Sequence, residues 1–147
     1  MIPYLTVKDP RAAMALYEKA LGATTVMVMD GPGGSVMHAE MKVGDSRFML
    51  ACEWPGMANA PQGRSPVNFM VYVDNADDAY THAVASGMQS VAGPEDMFWG
   101  DRMARVNDGH GYEWTLAHQT EALTPDEVQR RAADYAASME KEFATDS

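Results

Sequence analysis

Residues Ile2-Pro3-Tyr4-Leu5-Thr6-Val7-Lys8-Asp9 alternate in polarity and end at a polar turn, and Val67 to Asp74 repeat that pattern. A period of two predicts a strand with one buried face. Behind each run comes a stretch with helical spacing. The first has Ala13, Met14, Tyr17, Ala20 and Leu21 on one face, and the second has Ala76, Ala79, Tyr80, Ala83 and Val84. Each stops at a glycine, Gly22 or Gly87, which suits a left-handed C-terminal cap. Three more strands are expected after each glycine: 24–29, 36–43 and 47–52 in the first half, then 89–92, 102–107 and 112–117 in the second. Turn residues separate them: Asp30-Gly31-Pro32-Gly33-Gly34, Gly44-Asp45, Gly93-Pro94 and Asp108-Gly109.

The chain therefore reads as one strand–helix–strand–strand–strand unit written twice. Residues 1–53 form the first unit, 54–65 a linker with Pro, Gly and Asn, 66–118 the second unit, and 119–147 a helical tail. In the tail, Thr124-Pro125-Asp126-Glu127 has the form of a capping box with Pro at the first helical position. Val128, Ala132, Tyr135, Met139 and Phe143 line up behind it as an apolar stripe. Such a stripe calls for cover, from its own domain or from a second chain.

Composition narrows the setting. A chain of 147 residues fits one compact domain or two small halves on a shared core. No apolar run reaches the roughly 18 residues of a membrane span. The N-terminus has no basic region ahead of an apolar stretch, so no signal peptide is expected. The single cysteine, Cys52, excludes an internal disulfide and fits a reducing cytoplasm. A net charge of -10 disfavours nucleic acid and anionic membranes as partners. The 13 methionines suit an irregular core or an adaptable binding surface.

Several runs together point to a family. The opening Ile2 to Val7 is followed by Ala13, Tyr17, Glu18, Ala20 and Leu21-Gly22-Ala23. Gly44-Asp45-Ser46 precedes Met49-Leu50. Trp99-Gly100-Asp101-Arg102 leads to Arg105-Val106-Asn107-Asp108, Gly111, Glu113-Trp114 and Leu116-Ala117. Leu123-Thr124-Pro125-Asp126-Glu127 leads to Arg130-Arg131-Ala132. The chain resembles the vicinal oxygen chelate superfamily of glyoxalases, bleomycin resistance proteins and dioxygenases, and within it the PhnB-like branch. The resemblance implies an α+β fold in which two βαβββ units form a curled mixed sheet around a central cavity, with helices outside and a C-terminal helix. It also implies a homodimer and a small organic ligand. Metalloenzymes of the family hold their ion at four points, which fall here on Ile2, Arg47, Asn68 and Glu113. Ile2 has no donor atom, Arg47 repels cations and Asn68 is a weak neutral ligand. Only Glu113 suits a metal, so neither metal nor cofactor is expected.

Strand alternation assigns the faces. Leu5, Val7, Ala39, Met41, Phe48, Leu50, Cys52, Phe69, Val71, Val73, Ala104, Val106, Trp114 and Leu116 are expected in the core. The candidate ligand-binding set is Tyr4, His38, Glu40, Arg47, Met49, Asn68, Met70, Tyr72, Trp99, Arg105 and Glu113. His38 and Glu40 share a strand face and read as a metal pair, an acid–base pair or a hydrogen-bonded pair at a cavity rim. Glu113 is expected to pair with Arg47 or Arg105. Trp99 either recognises a ligand at the cavity mouth or closes the core. His82, His110 and His118 are expected at the surface, and no catalytic residue is assigned. The resulting expectation is a metal-free binder of a small organic molecule, a flat one suiting such a groove. The alternative is a metal-dependent lyase, isomerase or dioxygenase that draws ligands from His38, Glu40, Glu113 or the loops.

Overall fold

The computed structural model describes residues 1–145, and the last two residues of the expected tail, 146 and 147, lie outside the described residues. The elements are β1 (Tyr4–Thr6), α1 (Pro10–Leu21), β2 (Thr24–Asp30), β3 (Val36–Val43), β4 (Ser46–Ala51), β5 (Phe69–Tyr72), α2 (Ala76–Ala85), β6 (Gln89–Asp96), β7 (Asp101–Asn107), β8 (Glu113–Gln119) and α3 (Pro125–Thr145). The fold is α+β, with two four-stranded mixed sheets ordered β1-β4-β3-β2 and β5-β8-β7-β6. In each, the two strands that begin and end the unit pair in parallel and the other pairings are antiparallel.

Local chemistry explains the helix ends. Asp9 accepts the Ala12 N–H, Pro10 occupies the first turn of α1, and Gly22 closes the helix at φ 63°. Asn75 caps α2 by accepting the Asp78 N–H. One element runs past its expected end. Gly93-Pro94 is not a turn, because β6 continues through it to Asp96. β6 is an edge strand with irregular register on both sides of Ala92, where the missing N–H of Pro94 breaks no ladder.

The helix-facing sides of the two sheets share one core. Phe48 of β4 packs edge-on against Trp114 of β8 at 5.8 Å, and Tyr17 of α1 touches both rings. Leu5, Val7, Ala39, Met41, Leu50, Val106 and Leu116 join the same cluster, as alternation predicts. Cys52 does not: it is half-buried, just beyond the end of β4. Because the sheets meet on their core sides, their helix-free faces point outward. The curled sheet is not closed around a hollow within the chain.

Polar groups lock the halves together. The Tyr112 hydroxyl donates to the Thr6 carbonyl and accepts from its N–H. Buried Asp108 accepts hydrogen bonds from Tyr17 Oη at 2.6 Å and from Trp114 Nε1 at 3.1 Å. Burial, with the Asp108 carboxylate beside it, pushes the Tyr17 phenol far above its usual range.

α3 begins as its capping box predicts, with Thr124 accepting the Glu127 N–H. Its first turns rest on the β6–β7 turn, where Tyr135 packs on Phe98 and Arg131 donates to the Phe98 carbonyl. Within the chain the stripe has no further cover: Tyr135, Met139 and Phe143 are exposed and no residue of α3 is buried. No helix among the described residues is long and apolar enough to cross a membrane.

Gly100 holds this junction. Its φ is +96°, and a Cβ there would sit 2.6 Å from the Glu121 carbonyl oxygen. Its own carbonyl accepts from Thr120 and Glu121. Gly100→Ala is expected to cost about 1–3 kcal/mol, read as a lowered urea midpoint.

Candidate functional site

The outward face of the first sheet carries a polar file between methionines. Register aligns Tyr4, Met49, Glu40 and Met27 across β1, β4, β3 and β2, with His38 beside Met29 one rung on. Tyr4 Oη lies 2.8 Å from His38 Nδ1, and His38 Nε2 lies 3.5 Å from Glu40 Oε1. The other Glu40 oxygen lies 3.5 Å from Arg47. A carboxylate only accepts, so Nε2 carries the proton facing Glu40 and, in the neutral ring, Nδ1 accepts from Tyr4. Burial, with Cys52 nearby, raises the Tyr4 phenol above its ordinary value, which keeps that donor protonated. The file can pass or hold a proton and can hydrogen-bond a polar ligand group.

The outward face of the second sheet is built on the same register. Met70, Thr115 and Arg105 share one rung, and Tyr72, Ala117 and Met103 the next. Met70 and Tyr72 of the edge strand are 49% and 63% exposed, whereas Thr115 and Ala117 beside them on β8 are buried. Tyr72 donates to Asp101 at 2.9 Å, and that hydrogen bond raises its phenol. Glu113, only 3% exposed, receives Arg105 on one oxygen at 3.2 Å and Arg64 on the other at 2.5 Å.

The expected residues separate into places. Tyr4, His38, Glu40, Arg47 and Met49 share the first sheet, and Met70, Tyr72, Arg105 and Glu113 the second. Arg47, Asn68 and Met70 also meet at the seam between sheets, in a hollow of about 490 Å³ that Ile2, Phe48 and Trp114 help to line. The Glu113–Arg105 pair forms, whereas Arg47 pairs with Glu40. Trp99 lies elsewhere. It sits on Phe98 at the β6–β7 turn, beside a separate hollow bounded by Arg131 and Tyr135 at the foot of α3. His82 is exposed, as expected. His118 is half-buried instead, and its Nδ1 accepts the N–H of Ala76 at the start of α2. Arg64 was not foreseen. It sits in the irregular linker, where no periodicity assigns a direction.

These residues do not fit a metal ion. Of the four corner positions, only Glu113 offers a strong donor, and both of its oxygens already hold guanidinium groups. Among the described residues, no three or more His, Cys, Asp or Glu side chains gather as a metal cluster would require.

Comparison with known proteins places this geometry. The Glyoxalase/Bleomycin resistance protein/Dioxygenase superfamily model matches residues 3–116. The uncharacterised protein Mb0911c of Mycobacterium bovis is 30% identical over 133 residues, covering 86% of this chain and 88% of its own. Among solved structures, TioX from Micromonospora sp. ML1 superposes with a TM-score of 0.67 at 22% identity, covering 81% of this chain and 97% of its own. FosX, a genomically encoded fosfomycin resistance protein of Listeria monocytogenes, also scores 0.67, at 13% identity, over 87% and 95% of the two chains.

Proposed function

The chain belongs to the glyoxalase/bleomycin resistance protein/dioxygenase superfamily, and on that footing we propose that it binds a small organic molecule on the outward faces of its sheets, without a metal ion. The observation behind this reading is the state of those faces. Exposed Tyr4, Met27, Met29, Met70 and Tyr72 surround a few fixed polar groups. Methionine adapts to irregular shapes and tyrosine rings stack on flat ones. The corners that would hold an ion present an aliphatic group, an amide and a guanidinium, and the fourth is a carboxylate already neutralised.

In this reading the protein is a cytoplasmic homodimer of the PhnB-like branch. An outward face of one chain meets one of its partner, and the ligand lies between them. The exposed methionines and tyrosines of those faces support that arrangement, since an apolar patch of this kind on a lone domain is an interaction surface. FosX shares the fold, which supports small-molecule recognition no further than the fold itself does. The His38–Glu40 pair with its Tyr4 partner favours a second reading, an enzyme moving a proton on a bound substrate. A metal-dependent lyase, isomerase or dioxygenase would have to recruit those same side chains.

Sedimentation equilibrium is expected to give the mass of two 16.0 kDa chains. Calorimetry with 2-naphthol and indole is expected to show saturable binding that Met70→Glu weakens by about tenfold or more. Metal analysis of protein purified without chelator is expected to find far less than one ion per chain. A monomer that binds neither probe, or a stoichiometric zinc, nickel, manganese or iron ion, would overturn the reading.

A further inference from the structure

We propose that Arg64 and Arg105, held by Glu113, form an anion-binding subsite that takes the phosphonate, phosphate or carboxylate group of the organic ligand. This rests on the reading that the outward faces bind a small molecule, and it specifies the chemistry of that molecule.

The argument starts from charge. The chain has a net charge of -10, so a local positive excess runs against its general character. Among the described residues, the other arginines have at least one carboxylate each. Arg11 has Asp30 and Arg47 has Glu40. Arg102 has both Asp77 and Asp96. Arg130 and Arg131 sit among Glu121, Glu127 and Asp134. Glu127 also holds two guanidinium groups, but Glu121 and Asp134 pair with them as well; among the ion pairs of the described residues, only at Glu113 do guanidinium groups outnumber carboxylates. If neutralising a buried Glu were the whole task, one arginine would be enough. The second leaves one positive charge on this face.

Geometry makes that charge usable. Glu113 is 3% exposed, whereas the Arg64 and Arg105 side chains are 69% and 45% exposed. The carboxylate is thus a fixed post beneath two accessible heads. Each guanidinium commits one nitrogen to it. A guanidinium has five N–H donors in a planar fork, so most of them stay free for an oxyanion. Anchoring both heads in advance lowers the ordering cost of binding. Thr115 shares the rung of Arg105, and Met70 and Tyr72 continue the face as an apolar floor. The acids of this face lie toward its other end. Asp101 is taken by Tyr72 and stands four residues along β7 from Arg105, about 13 Å away. Glu95 registers with Met103 rather than with Arg105. An amphiphilic anion laid on this face would put its charge at Arg64 and Arg105 and its hydrocarbon on Met70 and Tyr72.

The test compares phenylphosphonate with benzyl alcohol, which share a ring and differ in charge, by calorimetry at low salt. Phenylphosphonate is expected to bind about tenfold or more tightly than the alcohol. Arg64→Met and Arg105→Met are each expected to remove most of that difference by weakening phenylphosphonate more than the alcohol. Each single variant leaves Glu113 one partner, and a thermal melt checks that it is folded. In the unaltered protein, phenylphosphonate is expected to shift the Nε–H signals of Arg64 and Arg105 in a nitrogen-15 spectrum, which needs no variant. Equal affinity for the two probes would overturn the anion subsite and leave the binding function standing. Preference for phenylphosphonate that survives both substitutions, with no shift at either arginine, would overturn the assignment to these residues. Binding of neither probe would overturn both this inference and the function it rests on.

Discussion

Asp108→Ala is expected to destabilise the protein by about 3–5 kcal/mol, a large part of the roughly 5–15 kcal/mol that holds a domain together. Oδ1 of Asp108 accepts the backbone N–H groups of His110 at 2.7 Å and Tyr112 at 3.0 Å. Oδ2 accepts from Tyr17 Oη at 2.6 Å and from Trp114 Nε1 at 3.1 Å. Alanine strands all four donors. His110 is half-buried and can turn to water, but Tyr17, Tyr112 and Trp114 are buried. Each stranded buried donor costs about 1–3 kcal/mol, offset in part because an unpaired group relaxes. The loss also loosens the join between units, since Tyr17 belongs to α1 and Trp114 to β8. Asp108→Asn keeps one accepting oxygen and places an amide donor against the indole N–H, so about half the loss is expected. Urea denaturation of the three proteins gives the comparison. A midpoint for the alanine variant within error of the parent would show that these bonds contribute nothing net.

Asp108 also shows where sequence reading stops. Next to Gly109 it looks like turn chemistry, and its backbone does turn there. Nothing in the pattern announces that its side chain points inward to collect donors from two units. The repeat itself was legible because each unit has a period-two strand, a helical stripe and glycine stops. The core faces were legible for the same reason: alternation puts Leu5, Leu50, Val106 and Leu116 inside, although Glu113, Thr115 and Ala117 on the other face of β8 are buried as well. It fails at ends. β4 stops at Ala51, so the next residue, Cys52, is freed from the pleat and ends half-buried.

Which sides of the two units would meet was not written in any periodicity. A strand with one apolar face must bury it, but the partner surface depends on how the linker routes the second unit. Trp99 had two open readings, recognition at a cavity mouth or closure of the core, because periodicity gives a loop aromatic no direction; its turn lies against α3, beside the hollow there. His38 and Glu40 were legible as neighbours because two residues along a strand return to the same face. Arg64 was not, because irregular chain has no face. The one available signal was indirect: a Glu aligned with an inward-facing strand position needs a cation, and Arg47 or Arg105 was already at hand to supply it.

The asymmetry of that last cluster gives the second large effect. Arg64→Met with Arg105→Met is expected to destabilise the protein by about 3–5 kcal/mol, whereas Glu113→Met is expected to change stability by less than about 1 kcal/mol in either direction. The reason lies in which partner is exposed. Glu113 is 3% exposed and cannot recover hydration when its partners go. An isolated buried carboxylate has no counter-charge, and the folded state bears that cost directly. The arginines differ. With side chains 69% and 45% exposed, they can swing into water once Glu113 is removed, and Met fills the vacated space with apolar atoms. Either arginine alone still supplies one charged hydrogen bond, so the single variants are expected to lie well under half of the double loss, a non-additivity that a double-mutant cycle reads directly. Urea midpoints of the five proteins decide the matter. A double variant as stable as the parent would mean that Glu113 reaches solvent after all, and the fixed post on which the two guanidinium heads depend would be gone.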